Sequence, residues 1–213
     1  MQDKWENETQ ENATKRFMKD SFPNGKFTTK VHYSYPFDEN SIVFDVGGYK
    51  GGWARYPDEL WHCNIFIFEP VTKFYNYCVN RYKNNNNIKV LKYGLEDEEK
   101  KIKISLNGSA SSTYRITNNI ETVQIKSISN VINNELNIKS IDLLKLNIEG
   151  GEYKLLDDLD SSNLLKNIKY LQIQFHSDMD QDGKKREKAL KIILKTHKID
   201  KMYKYCWAYF SLK

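Results

Sequence analysis

Carboxylates and glycines follow closely upon two short apolar runs of this sequence. Asp45 stands within the first run, residues 42–46, and Gly47, Gly48 and Gly51 come directly after it. Glycine lacks a Cβ, so it allows both a sharp turn of the backbone and the close approach of a ligand. A carboxylate beside such a turn attracts an ammonium or sulfonium group and repels a pyrophosphate. The motif therefore predicts a site for a cationic ligand, and a glycine-rich connection without a ligand is the alternative.

The second apolar run, residues 64–68, is followed by Glu69. This acid lies close to the offset of roughly 20 residues at which nucleotide-binding sheets place a carboxylate near ribose hydroxyls. Such a carboxylate can accept two hydrogen bonds from a vicinal diol. Glu69 by itself is typical of a solvated loop, but together with the preceding glycine turn it indicates a ribose site.

A third group of acids lies where a predicted strand, residues 143–148, gives way to a helix. Glu149 and Glu152 share one face of the helix start, because residues at this spacing are neighbours on a helix. The helix dipole alone explains acids at this position, so Glu152 has a purely structural alternative. The glycines at 150 and 151 are costly in a helix unless a close approach requires them. We predict a catalytic or substrate-binding role for Glu149 and a substrate-binding role for Glu152.

His176 follows another predicted strand, residues 170–175, and is a second candidate for proton transfer. Imidazole titrates near neutral pH, so a histidine at this position suits the role of general base. A lone histidine is more often structural, and that alternative stays open at this point.

Strands that alternate with helices predict an α/β fold with a mostly parallel central sheet and helices on both faces. In such a sheet ligands bind at the carboxyl ends of the strands, which brings Asp45, Glu69 and Asn147 to one edge. The predicted strands are 30–35, 42–46, 64–69, 88–93, 100–106, 122–128, 143–148, 170–175 and 201–212. The predicted helices are 52–60, 71–83, 128–136, 184–198 and one that ends near residue 159.

Length, charge and cysteine content restrict the class of protein. The chain has 213 residues, which favours one domain, here 41–213, after a polar helical or loop leader at 1–40 that packs on the core or on the partner of a homodimer. No apolar run approaches the ~20 residues of a membrane span. The three cysteines suit a reducing cytoplasm, where we expect the protein. The net charge of +5 is small for a duplex-binding domain, so we predict no nucleic-acid partner.

Three motifs resemble those of the FkbM-family methyltransferases, which use S-adenosyl-L-methionine and are mostly associated with O-methylation of sugars and related metabolites. The motifs are Phe44-Asp-Val-Gly-Gly-Tyr-Lys-Gly51, Phe68-Glu-Pro70 and Leu144-Lys-Leu-Asn-Ile-Glu-Gly-Gly-Glu152. The similarity covers residues 41–176. It implies S-adenosyl-L-methionine as the cofactor and a Rossmann-like methyltransferase fold that ends in an antiparallel strand.

The chemistry and position of each residue, together with the resemblance in the case of Leu95 and Glu96, assign roles within such a site. The expected cofactor-binding residues are Asp45, Gly47, Gly48, Gly51, Glu69, Leu95, Glu96 and Asn147. Asp45 is expected to offset the positive charge of the cofactor, directly or through water, and Leu95 and Glu96 to lie near its adenine. The expected substrate-binding residues are Lys145, Glu152, Ser112 and Arg115. A lysine that snorkels within its strand and an arginine on a solvated loop are the alternatives for Lys145 and Arg115.

Asn147 departs from the family pattern, which usually has an aspartate at this position. An amide is a poorer ligand for a hard cation than a carboxylate, so we predict no metal site. The sequence thus predicts an S-adenosyl-L-methionine-dependent O-methyltransferase of a sugar or sugar-phosphate precursor of a surface polysaccharide, such as capsule or lipopolysaccharide. Another small metabolite or a lipid-linked acceptor is the alternative substrate. A protein of this fold that has lost catalysis and serves as a partner module is the alternative class.

Overall fold

A mostly parallel sheet of seven strands forms the centre of the computed structural model, which describes residues 8–105, 120–177, 180 and 182–213. The strands of the described residues are β1 (Ile42–Val46), β2 (Asn64–Phe68), β3 (Ile88–Leu91), β4 (Gly94–Glu96), β5 (Lys100–Ser105), β6 (Ile120–Ser127), β7 (Ile141–Leu146), β8 (Ile168–Ile173), β9 (His197–Met202) and β10 (Ala208–Leu212). The central sheet has the order β3-β2-β1-β7-β8-β10-β9. Its neighbours from β3 to β8 are parallel, and β10 is antiparallel to β8 and to β9. The predicted Rossmann-like class and its antiparallel C-terminal strand are confirmed.

Helices pack on both faces of this sheet. They are α1 (Gln10–Ser21), α2 (Arg55–Trp61), α3 (Thr72–Tyr82), α4 (Ile128–Asn130), α5 (Glu152–Ser161) and α6 (Lys184–Ile193) in the described part of the chain. On one face Phe44 and Leu144 belong to a core cluster with the apolar residues of α5 and α6. On the other face Val43 and Leu143 belong to a cluster that includes residues of α3. Because the central strands are buried on both faces, their sequences are nearly continuous apolar runs.

The C-terminal region differs from the single strand predicted at 201–212. It forms a hairpin, in which the N–H of Tyr203 donates to the carbonyl of Trp207 at 2.8 Å and closes the turn between β9 and β10. Tyr205 lies in this turn with a φ of 50°. The alternation of aromatic residues that indicated one strand therefore runs through a turn.

Two other predicted elements also differ. The helix predicted at 184–198 ends at Ile193, because the chain enters β9 at His197 and must turn before it. The strand predicted at 30–35 is absent from the described residues, which have a short 3₁₀ turn at Thr29–Val31. The side-chain oxygen of Thr28 accepts a hydrogen bond from the N–H of Lys30, a local contact that favours a turn over an extended chain.

A second, smaller sheet has the order β4-β6-β5. Strand β6 is parallel to β4 and antiparallel to β5. Ile104, Val123 and Ile125 from this sheet pack against Val71 and Phe74 at the start of α3. The small sheet therefore forms a wall above the carboxyl end of β2.

The described part of the N-terminal leader packs on the C-terminal hairpin. Ala13 of α1 is fully buried in a cluster with Tyr203 and Tyr209. His32 links the leader to the sheet, because its Nδ1 lies 2.8 Å from the hydroxyl of Tyr209 and 3.2 Å from Nε2 of Gln172. Among the described helices, none combines the length and the apolar character that crossing a membrane requires.

Candidate functional site

A cavity of about 160 Å³ opens at the carboxyl ends of β1, β2 and β7. This is the edge at which doubly wound sheets bind their ligands. Several residues singled out from the sequence line the cavity, namely Gly47, Glu69, Leu95, Glu96, Asn147 and Glu149. The convergence of strand ends that the sequence predicted therefore takes place in the structure.

The glycine turn after β1 fits the space between two neighbouring strands. Gly47 has a φ of 84°, and a Cβ at this position would lie 2.0 Å from the carbonyl oxygen of Asn147. A Cβ on Gly48 would lie 2.2 Å from Cγ2 of Ile67. Only glycine fits at these positions, since any side chain would push the turn away from the sheet. Gly47 lines the cavity, whereas Gly48 and Gly51 lie behind it against neighbouring side chains.

Glu69 is held at the cavity by the backbone on both sides of it. Its Oε2 accepts the N–H of Tyr49 at 2.7 Å, and its Oε1 accepts the N–H of Val71 at 2.9 Å. Burial raises the pKa of Glu69 to about 7, although the two backbone N–H groups favour the ionised form. Each carboxylate oxygen keeps a lone pair for a further donor, as the expected contact with ribose hydroxyls requires.

Asn147 presents an unsatisfied oxygen at the same edge. Its Oδ1 is buried and has no hydrogen-bond partner among the described residues. A buried acceptor without a partner is costly, so it favours a ligand that brings a donor. An ammonium group such as that of S-adenosyl-L-methionine would supply one, and this part of the cavity therefore fits the cofactor.

Asp45 and Lys145 are buried and contact each other, and neither lines the cavity. They face each other in the register of β1 and β7, and Nζ of Lys145 lies 2.7 Å from Oδ1 of Asp45. The same ammonium donates to the carbonyl of Gly47 at 2.8 Å. Burial raises the pKa of Asp45, against the effect of the lysine. Oδ2 of Asp45 is buried without a hydrogen-bond partner among the described residues. The expected contacts of Asp45 with the cofactor and of Lys145 with substrate stay predictions.

The turn between β7 and α5 brings three titratable side chains together. Glu149, whose φ is 53°, lines the cavity with its side chain 28% exposed. The Nε2 of His176 lies 3.6 Å from Oε1 of Glu149, and its Nδ1 lies 3.0 Å from Oε1 of Glu152. Glu152 is fully buried, and its Oε2 accepts the N–H of Gly150 at 2.9 Å. Glu152 does not line the cavity, and both of its oxygens are engaged within the protein, so these contacts give no support to the predicted contact with substrate.

The charge of His176 follows from these neighbours. Burial lowers its pKa, but the carboxylates of Glu149 and Glu152 outweigh burial and raise the pKa to about 10. The ring is then an imidazolium at neutral pH and has no lone pair with which to accept a proton. Of the two predicted catalytic residues, Glu149 lines the cavity and His176 does not; their catalytic roles stay predictions.

The wall opposite the turn is apolar and was not predicted as part of the site. Tyr49 and Phe74 line it together with the isoleucines of the small sheet, Ile102, Ile104 and Ile125. The alternation of lysine and isoleucine in β5 indicated a strand with one apolar face, but not what that face would cover. Leu95 and Glu96 lie at the edge of this wall, and Glu96 is paired with Lys100 at 2.7 Å.

Ser112 and Arg115, two of the expected substrate-binding residues, lie outside the described residues. Within the described ranges, no three or more histidine, cysteine, aspartate or glutamate side chains are grouped so that they could hold a metal ion.

Solved structures with a similar fold include methyltransferases with bound cofactor. The fibrillarin/Nop5p complex matches with a TM-score of 0.53 and 12% identity, over 86% of this chain and 77% of that one. Aeropyrum pernix fibrillarin with natively bound S-adenosyl-L-methionine matches with a TM-score of 0.51 and 8% identity, over 85% of this chain and 70% of that one. A Streptococcus mutans protein described as a methyltransferase, in complex with S-adenosylhomocysteine, matches with a TM-score of 0.50 and 9% identity, over 83% of this chain and 91% of that one. At these identities the likeness concerns the fold.

Fold and site together define a Rossmann-like methyltransferase. No curated protein matches the sequence. The family model of the methyltransferase FkbM domain matches residues 45–206, which is most of the chain. The chain belongs to this family, which confirms the resemblance and its cofactor, S-adenosyl-L-methionine.

Proposed function

We propose that this S-adenosyl-L-methionine-dependent methyltransferase methylates a hydroxyl group of a sugar or sugar-phosphate precursor of a surface polysaccharide. The observation that carries the proposal is the accessible carboxylate of Glu149 at the cavity, beside a charged His176. An alcohol is a weak nucleophile until its proton leaves, so a carboxylate at this position suits an oxygen acceptor. The sugar class is supported by the family resemblance.

The cofactor, when bound, supplies an electrophilic methyl group on a positively charged sulfur. The residues of the chain hold and align the reactants around it. Glu69 would accept hydrogen bonds from the ribose hydroxyls, and Oδ1 of Asn147 would accept one from the ammonium group. Gly47 keeps the floor of the site free of a side chain. Such positioning contributes a large part of the rate of a bimolecular transfer, because it replaces a random encounter.

Glu149 takes the proton of the acceptor hydroxyl. With the methyl donor bound, the Glu149 carboxylate would accept the proton that the acceptor hydroxyl loses on methyl transfer and would pass it to water. His176 stays protonated beside it and keeps the carboxylate oriented. General-base catalysis of this kind contributes on the order of 10²–10⁴ to the rate.

Transfer of a labelled methyl group tests the proposal. The purified protein is incubated with tritiated S-adenosyl-L-methionine and, separately, nucleotide sugars, sugar phosphates, lipid-linked sugars, small hydroxylated metabolites and total RNA. Label in the nucleotide sugars or sugar phosphates that resists mild base supports a methyl ether on a sugar hydroxyl. Label that mild base releases would be a methyl ester and would contradict methylation of a hydroxyl. Label in RNA, in lipid-linked sugars or in the other metabolites alone would contradict the acceptor class.

Calorimetry with S-adenosyl-L-methionine separates a wrong acceptor from a lost activity. Binding without transfer to any acceptor would favour the alternative of a non-catalytic partner module. Absence of binding would remove the enzymatic proposal altogether.

A further inference from the structure

Glu152 is a fully buried carboxylate whose two oxygens are both engaged. One oxygen lies 3.0 Å from Nδ1 of His176, and the other accepts the N–H of Gly150 at 2.9 Å. A buried charge is unfavourable unless it is paired and hydrogen-bonded, and both conditions are met here. An acid that only favours a helix N-terminus would stay in solvent, so its burial requires a separate explanation.

The backbone that Glu152 holds is an uncommon one. Glu149 has a φ of 53° and Gly150 a φ of 104°, both in the left-handed region. A non-glycine residue is uncommon there and persists where its surroundings enforce it. The hydrogen bond from Gly150 to Glu152 is such an enforcing contact. It ties the turn that carries Glu149 to the first residue of α5.

The ring of His176 completes the connection. It is bound on one side by Glu152 and faces Glu149 on the other, so the ring spans the two carboxylates. The shorter contact is the one to the buried acid, and Glu149 is the member that reaches the cavity. The three side chains therefore form a series that leads from the interior to the cavity.

We infer that Glu152 is a positioning residue: it fixes the ring of His176 from one side and the turn at 149–150 from the other, and so holds the Glu149 carboxylate at the cavity. The role of Glu149 as the base rests on the proposed function, whereas its placement by Glu152 does not. Glu152 acts through its neighbours and does not contact substrate.

Other charged groups near this series are already paired with different partners. The hydroxyl of Tyr153 donates to the carbonyl of His176 at 3.3 Å. Asp180 accepts the N–H groups of Lys185 and Arg186 at 2.8 Å and 2.9 Å, and the hydroxyl of Tyr205 lies 3.1 Å from its Oδ2. The charged groups that act on the imidazole ring are Glu149 and Glu152.

Nitrogen NMR of the histidine rings tests the inference without any acceptor. Long-range ¹H–¹⁵N spectra distinguish imidazolium from each neutral tautomer, and the four histidines of the chain can be assigned with a His176→Gln variant. We expect His176 to be doubly protonated at about pH 8 in the wild-type protein. In Glu152→Gln its pKa should fall by more than about one unit, since the closer negative charge is gone. Asp157→Asn, on the exposed face of the same helix and paired with Lys188, is the matched control and should leave the ring unchanged.

A neutral His176 in the wild-type protein, or an unchanged ring in Glu152→Gln, would overturn the inference. If Glu152→Gln does not fold, the titration of His176 in the wild-type protein and in Glu149→Gln tests the inference. In Glu149→Gln the pKa of His176 should fall by less than in Glu152→Gln, because the contact of the ring with Glu149 is the longer one. Once an acceptor is known, Glu152→Gln should lower kcat and leave the affinity for S-adenosyl-L-methionine unchanged. A failed search for a sugar acceptor leaves the NMR result intact, so the two proposals can fail separately.

Discussion

Two buried ion pairs lie at the same edge of the sheet, yet only one of them leads to the cavity. Asp45 and Lys145 are sealed, with side-chain exposures of 0% and 4%. Glu152 and His176 are nearly as buried, but the ring of His176 also faces Glu149, which opens into the cavity. The two pairs differ in that the second has an ionisable neighbour, Glu149, at the cavity, whereas the first contacts only the backbone carbonyl of Gly47 there.

The position of each charge relative to the end of its strand explains the difference. Asp45 and Lys145 lie within β1 and β7, where side chains point into the layers above and below the sheet. Glu149 comes after the end of β7, where the chain leaves the sheet and side chains can point toward its edge. Glu149, four residues after Lys145, therefore reaches the cavity.

Replacing the accessible carboxylate should have the largest effect on activity. In Glu149→Gln we expect the rate of methyl transfer to fall on the order of 10²–10⁴-fold, because the base is lost and the shape is kept. The affinity for S-adenosyl-L-methionine, measured by calorimetry, should stay within about twofold, since the cofactor contacts are made by other residues. Asp157→Asn should retain full activity. A fully active Glu149→Gln would show that the proton leaves by another route.

Breaking the sealed pair should affect stability. Lys145→Met leaves Asp45 buried without a counter-charge and removes the donor to the Gly47 carbonyl, so we expect the free energy of unfolding to drop by about 3–5 kcal/mol in urea denaturation. Lys169→Met breaks an ion pair of the same 2.7 Å length, to Asp142, but Lys169 is 57% exposed. That control should cost less than about 1 kcal/mol.

The double variant Asp45→Asn/Lys145→Met sharpens this comparison. It should regain part of the lost stability, because the unpaired charge is removed with its partner. Equal losses in Lys145→Met and Lys169→Met would mean that burial does not distinguish the two pairs.

The pH dependence of cofactor binding gives the smallest expected effect. Glu69 has a pKa of about 7 in the protein without ligand. If the ionised form binds the ribose hydroxyls, each unit of pH below that value should weaken the binding of S-adenosyl-L-methionine by about tenfold, since a proton must leave first. Above that pH the affinity should be constant. In Glu69→Gln the affinity should be lower and this dependence absent; calorimetry across the pH range compares the two proteins, and an unchanged slope in the variant would contradict the role of Glu69.

The fold was largely predictable because its signals are local. The apolar runs at β1, β2 and β7 and the helical spacing in α3 follow from neighbouring residues, and the structure has these elements within a few residues of the prediction. The C-terminal hairpin was not predicted, since aromatic residues alternate through its turn. Tyr205 has a left-handed backbone there, which a tyrosine in the sequence does not indicate. The apolar wall of the cavity was not predicted either, because it depends on how the small sheet is placed over β2.

The sequence by itself determined the family, the glycine turn and the acids that follow the strands, because residue types and short spacings carry that information. The tertiary structure alone decided which of those acids are accessible. Asp45 and Lys145 are 100 residues apart and meet only through the register of two strands. Glu152 is separated from Glu149 by a single turn, yet it is sealed while Glu149 is open, because burial depends on what packs against a side chain and not on its place along the chain.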